Sequence, residues 1–213
     1  MKESLHLFGR KALAGAGIAV GIIGVLLLVL LGLRLWVRDS SPSETVKTTA
    51  GTTIQANPLH FHKGKMDTEG TLYSPSAPAQ PPYTAIIYCQ NRAYGARWCK
   101  ELAGAGYLSY AFDMTDGATQ RSRQLRTVVE GIRGRKDTDR SKVYLLAEGN
   151  GCRAATLYAM DNPGSVAGLI LISPGFNPLE ISRKAKNYRH PVLVLDETRG
   201  QKELLEEIRQ YVN

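Results

Sequence analysis

A chain of 213 residues with 43% hydrophobic and 22% charged residues has the composition of a folded globular protein, which excludes wholesale disorder. The formal net charge of +8 favours anionic surfaces, but no basic motif interleaved with aromatic residues and no Cys/His finger spacing supports nucleic-acid binding. The three cysteines, Cys89, Cys99 and Cys152, cannot all pair within one chain, and their positions in predicted strands and helices indicate buried packing. We expect neither a metal nor a cofactor.

The chain opens with a short tail, residues 1–11, and an apolar run at residues 12–33. The run holds about 22 residues without a charge, enough to cross a bilayer as a helix. Arg34, Trp36 and Arg38 come next at interfacial depth, and no small-x-small cleavage site accompanies them. These features predict an uncleaved, single-pass transmembrane anchor.

The charges that flank the anchor do not set its orientation, because Lys and Arg are about equally frequent on its two sides. A short tail before a long domain usually stays inside the cell, so we expect a cell-membrane protein whose domain is extracytoplasmic. Residues 34–56 become rich in Ser and Thr from Asp39 onwards and lack a helical or alternating apolar stripe. This composition predicts a linker or stalk.

Residues 57–213 have the pattern of a folded domain. Apolar segments on either side of a Lys-Gly turn at 63–64 predict a β-hairpin, and four prolines within 74–82 predict a loop. Strands are predicted at 59–62, 71–73, 83–89, 107–112, 143–146, 166–172 and 191–195, and helices at 96–105, 119–133, 152–160 and 202–212. This alternation predicts a parallel sheet with helices on both faces.

The most informative stretch is Lys142–Ala155, in which a buried strand passes through Ala-Glu-Gly-Asn-Gly into a helix. This arrangement resembles the nucleophile elbow of α/β-hydrolases, whose pattern is small-x-nucleophile-x-small. Ala147 and Gly151 occupy the two small positions, and Gly149 occupies the nucleophile position. A glycine there has no side chain to attack a substrate. It also relieves a backbone strain that costs a residue with a Cβ about 1–3 kcal/mol.

The resemblance to α/β-hydrolases extends over residues 57–213. Four other segments follow in the order of the family's opening hairpin strand, its helix A with the next strand, its strand six and its strand seven: Glu69–Pro75, Leu102–Asp113, Leu169–Pro174 and His190–Asp196. The segment between the last two strands is too short for a cap domain. The resemblance implies a small, capless, bacterial-type α/β-hydrolase-like domain with a mostly parallel sheet, preceded here by one transmembrane helix.

The chemistry that the resemblance implies is incomplete. Serine hydrolysis needs an activated hydroxyl, a histidine base and a carboxylate that orients the base. Asp196 stands near the place of the family's acid and is a candidate remnant. The family's catalytic histidine follows that acid, whereas all four histidines of this chain precede Asp196. The loop in which many members carry His-Gly reads Gln90-Asn91-Arg92. These departures imply degenerate catalytic motifs.

Other candidate residues lie at the carboxyl edge of the predicted sheet, where open α/β sheets bind their ligands. Four of them are candidates for the lining of a ligand cleft: Gln90, Asn91, Asp113 and Asn150. The alternative, which the sequence favours, is a turn role for Asp113 and a solvated or helix-capping role for Asp196. Cys152 follows a predicted helix N-terminus, which can lower the pKa of a thiol, and is therefore a candidate alternative nucleophile. The alternative is that Cys152 is a buried thiol with a purely structural role.

A basic run extends from Arg121 to Lys142 and contains only three acidic residues. Its first members, Arg121, Arg123 and Arg126, lie on a predicted helix. With an anchor on the same chain, the run favours contact with anionic lipid or another polyanion. An ordinary solvated helix face is the alternative.

We therefore predict a membrane-anchored protein with an α/β-hydrolase fold that is catalytically inactive and acts as a binding or scaffolding module. Two other functions stay open. One is an active serine-hydrolase-type esterase or peptidase with a divergent site. The other is a membrane-tethered partner for a second hydrolase subunit that supplies a missing strand, so a protein partner also remains a prediction.

Overall fold

The computed structural model describes residues 43–76, 78–178 and 188–213, and every element below lies in these ranges. The strands are β1 (Glu44–Lys47), β2 (Thr53–Lys63), β3 (Met66–Ser74), β4 (Tyr83–Gln90), β5 (Leu108–Asp113), β6 (Thr138–Glu148), β7 (Gly168–Ile172) and β8 (Val192–Leu195). The helices are α1 (Arg92–Gly104), α2 (Ala118–Arg133), α3 (Asn150–Asp161) and α4 (Gln201–Val212).

The strands form one sheet in the order β1-β2-β3-β5-β4-β6-β7-β8. Strands β1, β2, β3 and β5 pair antiparallel, whereas β5, β4, β6, β7 and β8 pair parallel. The chain leaves β4 towards β5 on one side and later returns to β6 on the other. The strand order therefore reverses at β4, and such reversals place a crevice outside the carboxyl ends of the adjoining strands.

The centre of the sheet is apolar because helices cover both of its faces. In β4 and β6, Ile86–Cys89 and Leu145–Ala147 are entirely inaccessible to solvent. On one face α2 and α3 pack with Leu125, Val128 and Ala155. On the other face α1 and α4 pack with buried side chains that include Trp98, Leu102 and Leu204. The predicted mostly parallel sheet with helices on both faces is confirmed.

The predicted hairpin is also confirmed. It joins β2 and β3 through a turn in which Gly64 has a φ of +62°. Because this left-handed conformation is costly for a residue with a Cβ, glycine favours the turn at this position. The predicted strand at 143–146 begins earlier than expected, at Thr138, so the basic run continues from α2 into the start of β6.

The predicted linker at 34–56 is wrong over its second half. Strand β1 and the start of β2 lie within it, and Ile54 and Ala56 are buried against the face that carries α1. The prediction failed because β1 has only one apolar residue, Val46, and its strand conformation depends on pairing with β2. The domain therefore includes residues 43–56.

The predicted tail at 1–11, the predicted anchor at 12–33 and the first part of the linker lie outside the described residues. Within the ranges given above, no helix is both long and apolar enough to cross a membrane.

Candidate functional site

The turn between β6 and α3 is as sharp as the sequence predicts. Gly149 links Glu148, the last residue of β6, to Asn150, the first residue of α3, with φ +52° and ψ −121°. Its N–H donates to the carbonyl of Ile172 on β7 at 3.2 Å, and its own carbonyl accepts from the N–H of Cys152 at 3.1 Å. A residue with a Cβ would be strained in this conformation by about 1–3 kcal/mol.

The two small positions of the turn have packing reasons. A Cβ added to Gly151 would lie 2.0 Å from the carbonyl oxygen of Cys89 on β4. Only a glycine therefore allows the first turn of α3 to approach the sheet this closely. Ala147 is entirely buried at the end of β6, where a larger side chain would overpack the core.

The apex itself is open. A Cβ added to Gly149 would find only one atom within 4 Å among the described residues, the side-chain nitrogen Nε2 of Gln90 at 4.0 Å. Gly149 and Asn150 are both exposed. The glycine is therefore favoured by the backbone conformation and not by a lack of room.

The described histidines lie far from the apex. His60 and His62 belong to β2, which is separated from β6 by four strand spacings, roughly 19 Å. His190 precedes β8, so it lies at the amino edge of the parallel strands, opposite the carboxyl edge that carries Gly149. His6 lies outside the described residues. No described imidazole can therefore accept a proton from a group at the apex.

The carboxylate before the apex is bound by three side chains of β4 and α1. Oε2 of Glu148 accepts hydrogen bonds from the Tyr88 hydroxyl at 3.0 Å and from Nε1 of Trp98 at 3.3 Å. Arg97 donates to Oε1 at 3.4 Å, and the Glu148 side chain is only 19% exposed. Burial, followed by the charge of Glu148, raises the pKa of Tyr88 well above its usual range. The phenol therefore stays protonated and remains a donor.

Two of the predicted cleft residues lie beside Gly149 and two hold α1. Gln90 ends β4 next to the apex, and Asn150 follows the apex directly. In contrast, Oδ1 of Asn91 accepts from the N–H groups of Ala93 and Tyr94 and so caps α1. Asp113 accepts from the N–H of Arg92 at 2.9 Å and lies 3.6 Å from its Nε.

The predicted remnant acid is engaged in a turn. Oδ1 of Asp196 accepts from the N–H of Thr198 at 2.9 Å, and the hydrogen bonds from Thr198 lower the pKa of this exposed carboxylate. The geometry is an Asx turn between β8 and α4. It suits the structural role that the sequence left open for Asp196.

The alternative nucleophile is inside the core. Cys152 is fully buried, and its thiol lies 3.5 Å from the carbonyl of Ile172. Burial raises the pKa of this thiol to about 12, so it is a neutral thiol at physiological pH. The proximity of a helix N-terminus does not offset that burial. A neutral, enclosed thiol is a poor nucleophile.

The fold matches solved structures, although neither comparison by sequence found a match. No protein-family model matches the chain, and no curated protein matches it. A dienelactone hydrolase-like promiscuous phosphotriesterase, P91, from metagenomic libraries matches with a TM-score of 0.56 and 16% identity over 74% of this chain and 77% of that one. Dienelactone hydrolase from Anabaena variabilis matches with a TM-score of 0.52 and 13% identity over 74% of this chain and 94% of that one.

The domain has the α/β-hydrolase fold. Against some larger structures it covers less than half of the known protein, 44% for an esterase from Pyrobaculum calidifontis and 48% for the carboxylesterase EstE1. The likenesses to P91 and to the Anabaena variabilis enzyme show the fold alone. The elbow of the α/β-hydrolase fold normally presents the nucleophile at its apex, and in this domain the apex is Gly149.

One residue at the same edge of this α/β-hydrolase sheet was missed by sequence reasoning. Ser173 follows β7 with a φ of +46°, which is unusual for a residue with a Cβ. Its N–H donates to the carbonyl of Leu195 at 2.9 Å, and its hydroxyl accepts from the N–H of Glu197 at 3.0 Å. Ser173 therefore fixes the loop after β8. The only sequence signal was its place between an apolar run and Pro174.

The three predicted surface arginines lie on α2, where Arg123 and Arg126 are exposed and Arg121 is half-buried. A groove of about 560 Å³ separates the first turns of α2 from α3, and all three arginines line it. Arg153 of α3 lines its other side. Sequence reasoning missed Arg153, because the pairing of two helices 30 residues apart is a tertiary feature.

Proposed function

We propose that this protein is a non-hydrolytic α/β-hydrolase-fold protein that acts as a binding or scaffolding module at a membrane. The observation that carries the proposal is Gly149 at the elbow apex, with φ +52° and ψ −121°. This is the position from which the fold presents its nucleophile, and a glycine offers neither a hydroxyl nor a thiol. No acyl intermediate can form there.

The surroundings of the apex support the same conclusion. The described histidines lie on β2 or at the opposite edge of the sheet, Asp196 is held by Thr198, and the Cys152 thiol is buried. Nucleophile, base and acid act as a unit in serine hydrolysis, and loss of one member alone can cost roughly six orders of magnitude in turnover. Their joint loss leaves a fold that can bind but not hydrolyse.

The membrane role rests on the sequence. The uncharged run at 12–33 supports a single-pass anchor in the cell membrane, and the short preceding tail supports an extracytoplasmic domain. The exposed arginines of α2 support contact with an anionic surface. Together these features favour a domain that binds its ligand or partner close to the bilayer.

The proposal is tested with the full chain purified in a neutral detergent. We expect no covalent labelling by a fluorophosphonate probe and no turnover of short acyl esters above background. An active bacterial esterase in the same detergent is the positive control. A Ser173→Ala variant tests whether any labelling falls on this serine. Ser173 directly follows β7, which pairs with β6, and has a positive φ.

Two results would overturn the proposal. One is labelling of the natively purified, unmodified chain that is abolished when the protein is heat-denatured before the probe is added. The other is ester hydrolysis that is lost in Asp196→Asn or Cys152→Ala. Either would establish the alternative, an esterase or peptidase with a divergent site.

A further inference from the structure

A groove between α2 and α3 lies outside the elbow. It holds about 560 Å³. Arg121, Arg123 and Arg126 form its α2 side, and Arg153 stands on its α3 side. Its lining also includes Leu157 and Tyr158.

The positive charge of the groove is poorly neutralised. Arg121 donates to the carbonyl of Thr115 at 2.9 Å and lies 3.6 Å from a carboxylate oxygen of Asp116. Arg126 donates to the neutral amide of Asn162 at 2.9 Å, so its charge has no carboxylate partner there.

The two remaining arginines are less engaged. The exposed side chains of Arg123 and Arg153 make no hydrogen bond or ion pair with any described residue. Asp161 is the only acid among the residues that line the groove in the described part of the chain. Four arginines therefore line a single groove, and guanidinium groups bind phosphate oxygens in a bidentate geometry.

The apolar part of the lining distinguishes this site from a simple phosphate site. Leu157 is only half-buried, and it precedes the buried Tyr158 in the lining of the groove. A free phosphate would leave this apolar surface in water, whereas an amphipathic anion would cover it and gain from its burial. Cavities of this size also match small-molecule sites lined mostly by apolar atoms with a few polar anchors.

We propose that this groove binds one anionic phospholipid, with the phosphate between the arginines and the start of an acyl chain over Leu157. Lipid is favoured over an acidic peptide because the apolar run at 12–33 is predicted to hold the domain at a bilayer, where the effective lipid concentration is high. The inference rests on the proposed membrane location but not on the loss of catalysis. An ester-hydrolysis assay tests the chemistry at the elbow, whereas the number of bound lipids tests the groove, so the two proposals can fail separately.

The test uses the full chain reconstituted in nanodiscs of phosphatidylcholine with or without phosphatidylglycerol. After gentle release into detergent, native mass spectrometry counts the lipids that stay bound. We expect one phosphatidylglycerol per chain. Arg123→Gln and Arg153→Gln should each weaken its retention about tenfold, because each removes a charge-assisted hydrogen bond to the phosphate.

Two further variants separate the groove from its surroundings. Arg140→Gln removes an exposed arginine of the same basic run on β6, outside the groove, and should leave retention unchanged. Leu157→Asn should weaken lipid retention while leaving the affinity for inorganic phosphate unaltered. Thermal unfolding of each variant establishes that its domain is folded, which is expected because the arginines are solvent-accessible.

Three outcomes would overturn the inference. Retention that is equal in Arg123→Gln, Arg153→Gln and Arg140→Gln would place the lipid elsewhere on the chain. Full displacement of the lipid by inorganic phosphate at equal affinity would make the groove a phosphate site. Tighter binding of an acidic peptide, such as oligoglutamate, than of phosphatidylglycerol would make the groove a protein-docking surface.

Discussion

The hydroxyl of Tyr88 on β4 donates to Oε2 of Glu148 on β6 at 3.0 Å, one residue before the elbow apex. Trp98 and Arg97 of α1 bind the same carboxylate. The elbow is thus tied to the helix layer opposite the one in which α3 packs. Because these donors satisfy a partly buried carboxylate, we expect the network to stabilise the elbow.

The first prediction concerns this cluster. Tyr88→Phe should lower the free energy of unfolding by about 1–3 kcal/mol, because a partly buried carboxylate loses one of its donors. Chemical denaturation measures the change. Tyr94→Phe is the matched control, since Tyr94 is 66% exposed and should tolerate the loss of its hydroxyl. Equal stability of the two variants would contradict the assignment.

The second prediction concerns the apex. Gly149→Ser should not create esterase activity, because no described histidine lies within reach of the new hydroxyl. The variant should lose about 1–3 kcal/mol of stability, since the added Cβ has room but adopts a strained φ. Gly149→Ala should lose the same amount, which would show that the cost comes from the Cβ. A stabilised Gly149→Ser would mean that the turn is not strained.

The third prediction concerns the contact of α3 with β4. Gly151→Ala should destabilise the domain by about 1–3 kcal/mol, because its Cβ would enter the space of the Cys89 carbonyl and push α3 away from the sheet. Gly200→Ala serves as the control, because a Cβ at Gly200 meets no atom within 4 Å. Unfolding curves that show equal effects of the two substitutions would refute the close approach.

The fourth prediction concerns pH. Burial raises the pKa of Cys99 and of Cys152 from 9.0 to about 12. Between these values the unfolded chain has lost thiol protons that the folded domain keeps, so the domain binds more protons than the unfolded chain. The stabilisation is complete below pH 9 and is lost as pH rises towards 12, by up to about 1.4 kcal/mol per pH unit for each thiol.

Denaturation at several alkaline pH values measures this slope, and Cys152→Ser should reduce it. A slope that is unchanged in the variant would contradict the burial of this thiol. The same burial predicts that iodoacetamide leaves all three cysteines unmodified in the folded domain and alkylates them after denaturation. Rapid alkylation of Cys152 in the native protein would revive it as a nucleophile.

The fifth prediction concerns topology. Reporter fusions to the C-terminus should be active outside the cytoplasm, and the mature protein should retain residues 1–38. Activity of only a cytoplasmic reporter would reverse the orientation. A mature form without those residues would replace the anchor with a cleaved signal.

The sequence predicted features that depend on neighbours along the chain. The elbow at Gly149 and the hairpin turn at Gly64 each need a glycine in a left-handed conformation, and each follows an apolar strand. The central strands are apolar throughout because both faces of the sheet are covered. Short-range patterns of this kind are visible without knowledge of the fold.

The features that the sequence missed depend on distant residues. Tyr88 and Glu148 are 60 positions apart, and only the parallel pairing of β4 with β6 brings them together. Strand β1 exists because β2 supplies its hydrogen bonds, and Arg153 joins the arginines of α2 because α3 packs beside that helix. Composition cannot reveal any of these contacts.

The glycine apex also has a kinetic consequence for the proposed role. An active elbow consumes the molecule that it binds, so its occupancy falls as the substrate runs out. In the proposed non-hydrolytic role, a domain with Gly149 at that position would release any such molecule unchanged, and its occupancy would follow the free concentration and the dissociation constant. The same crevice would then act as a reversible receptor for a compound that an active enzyme would destroy.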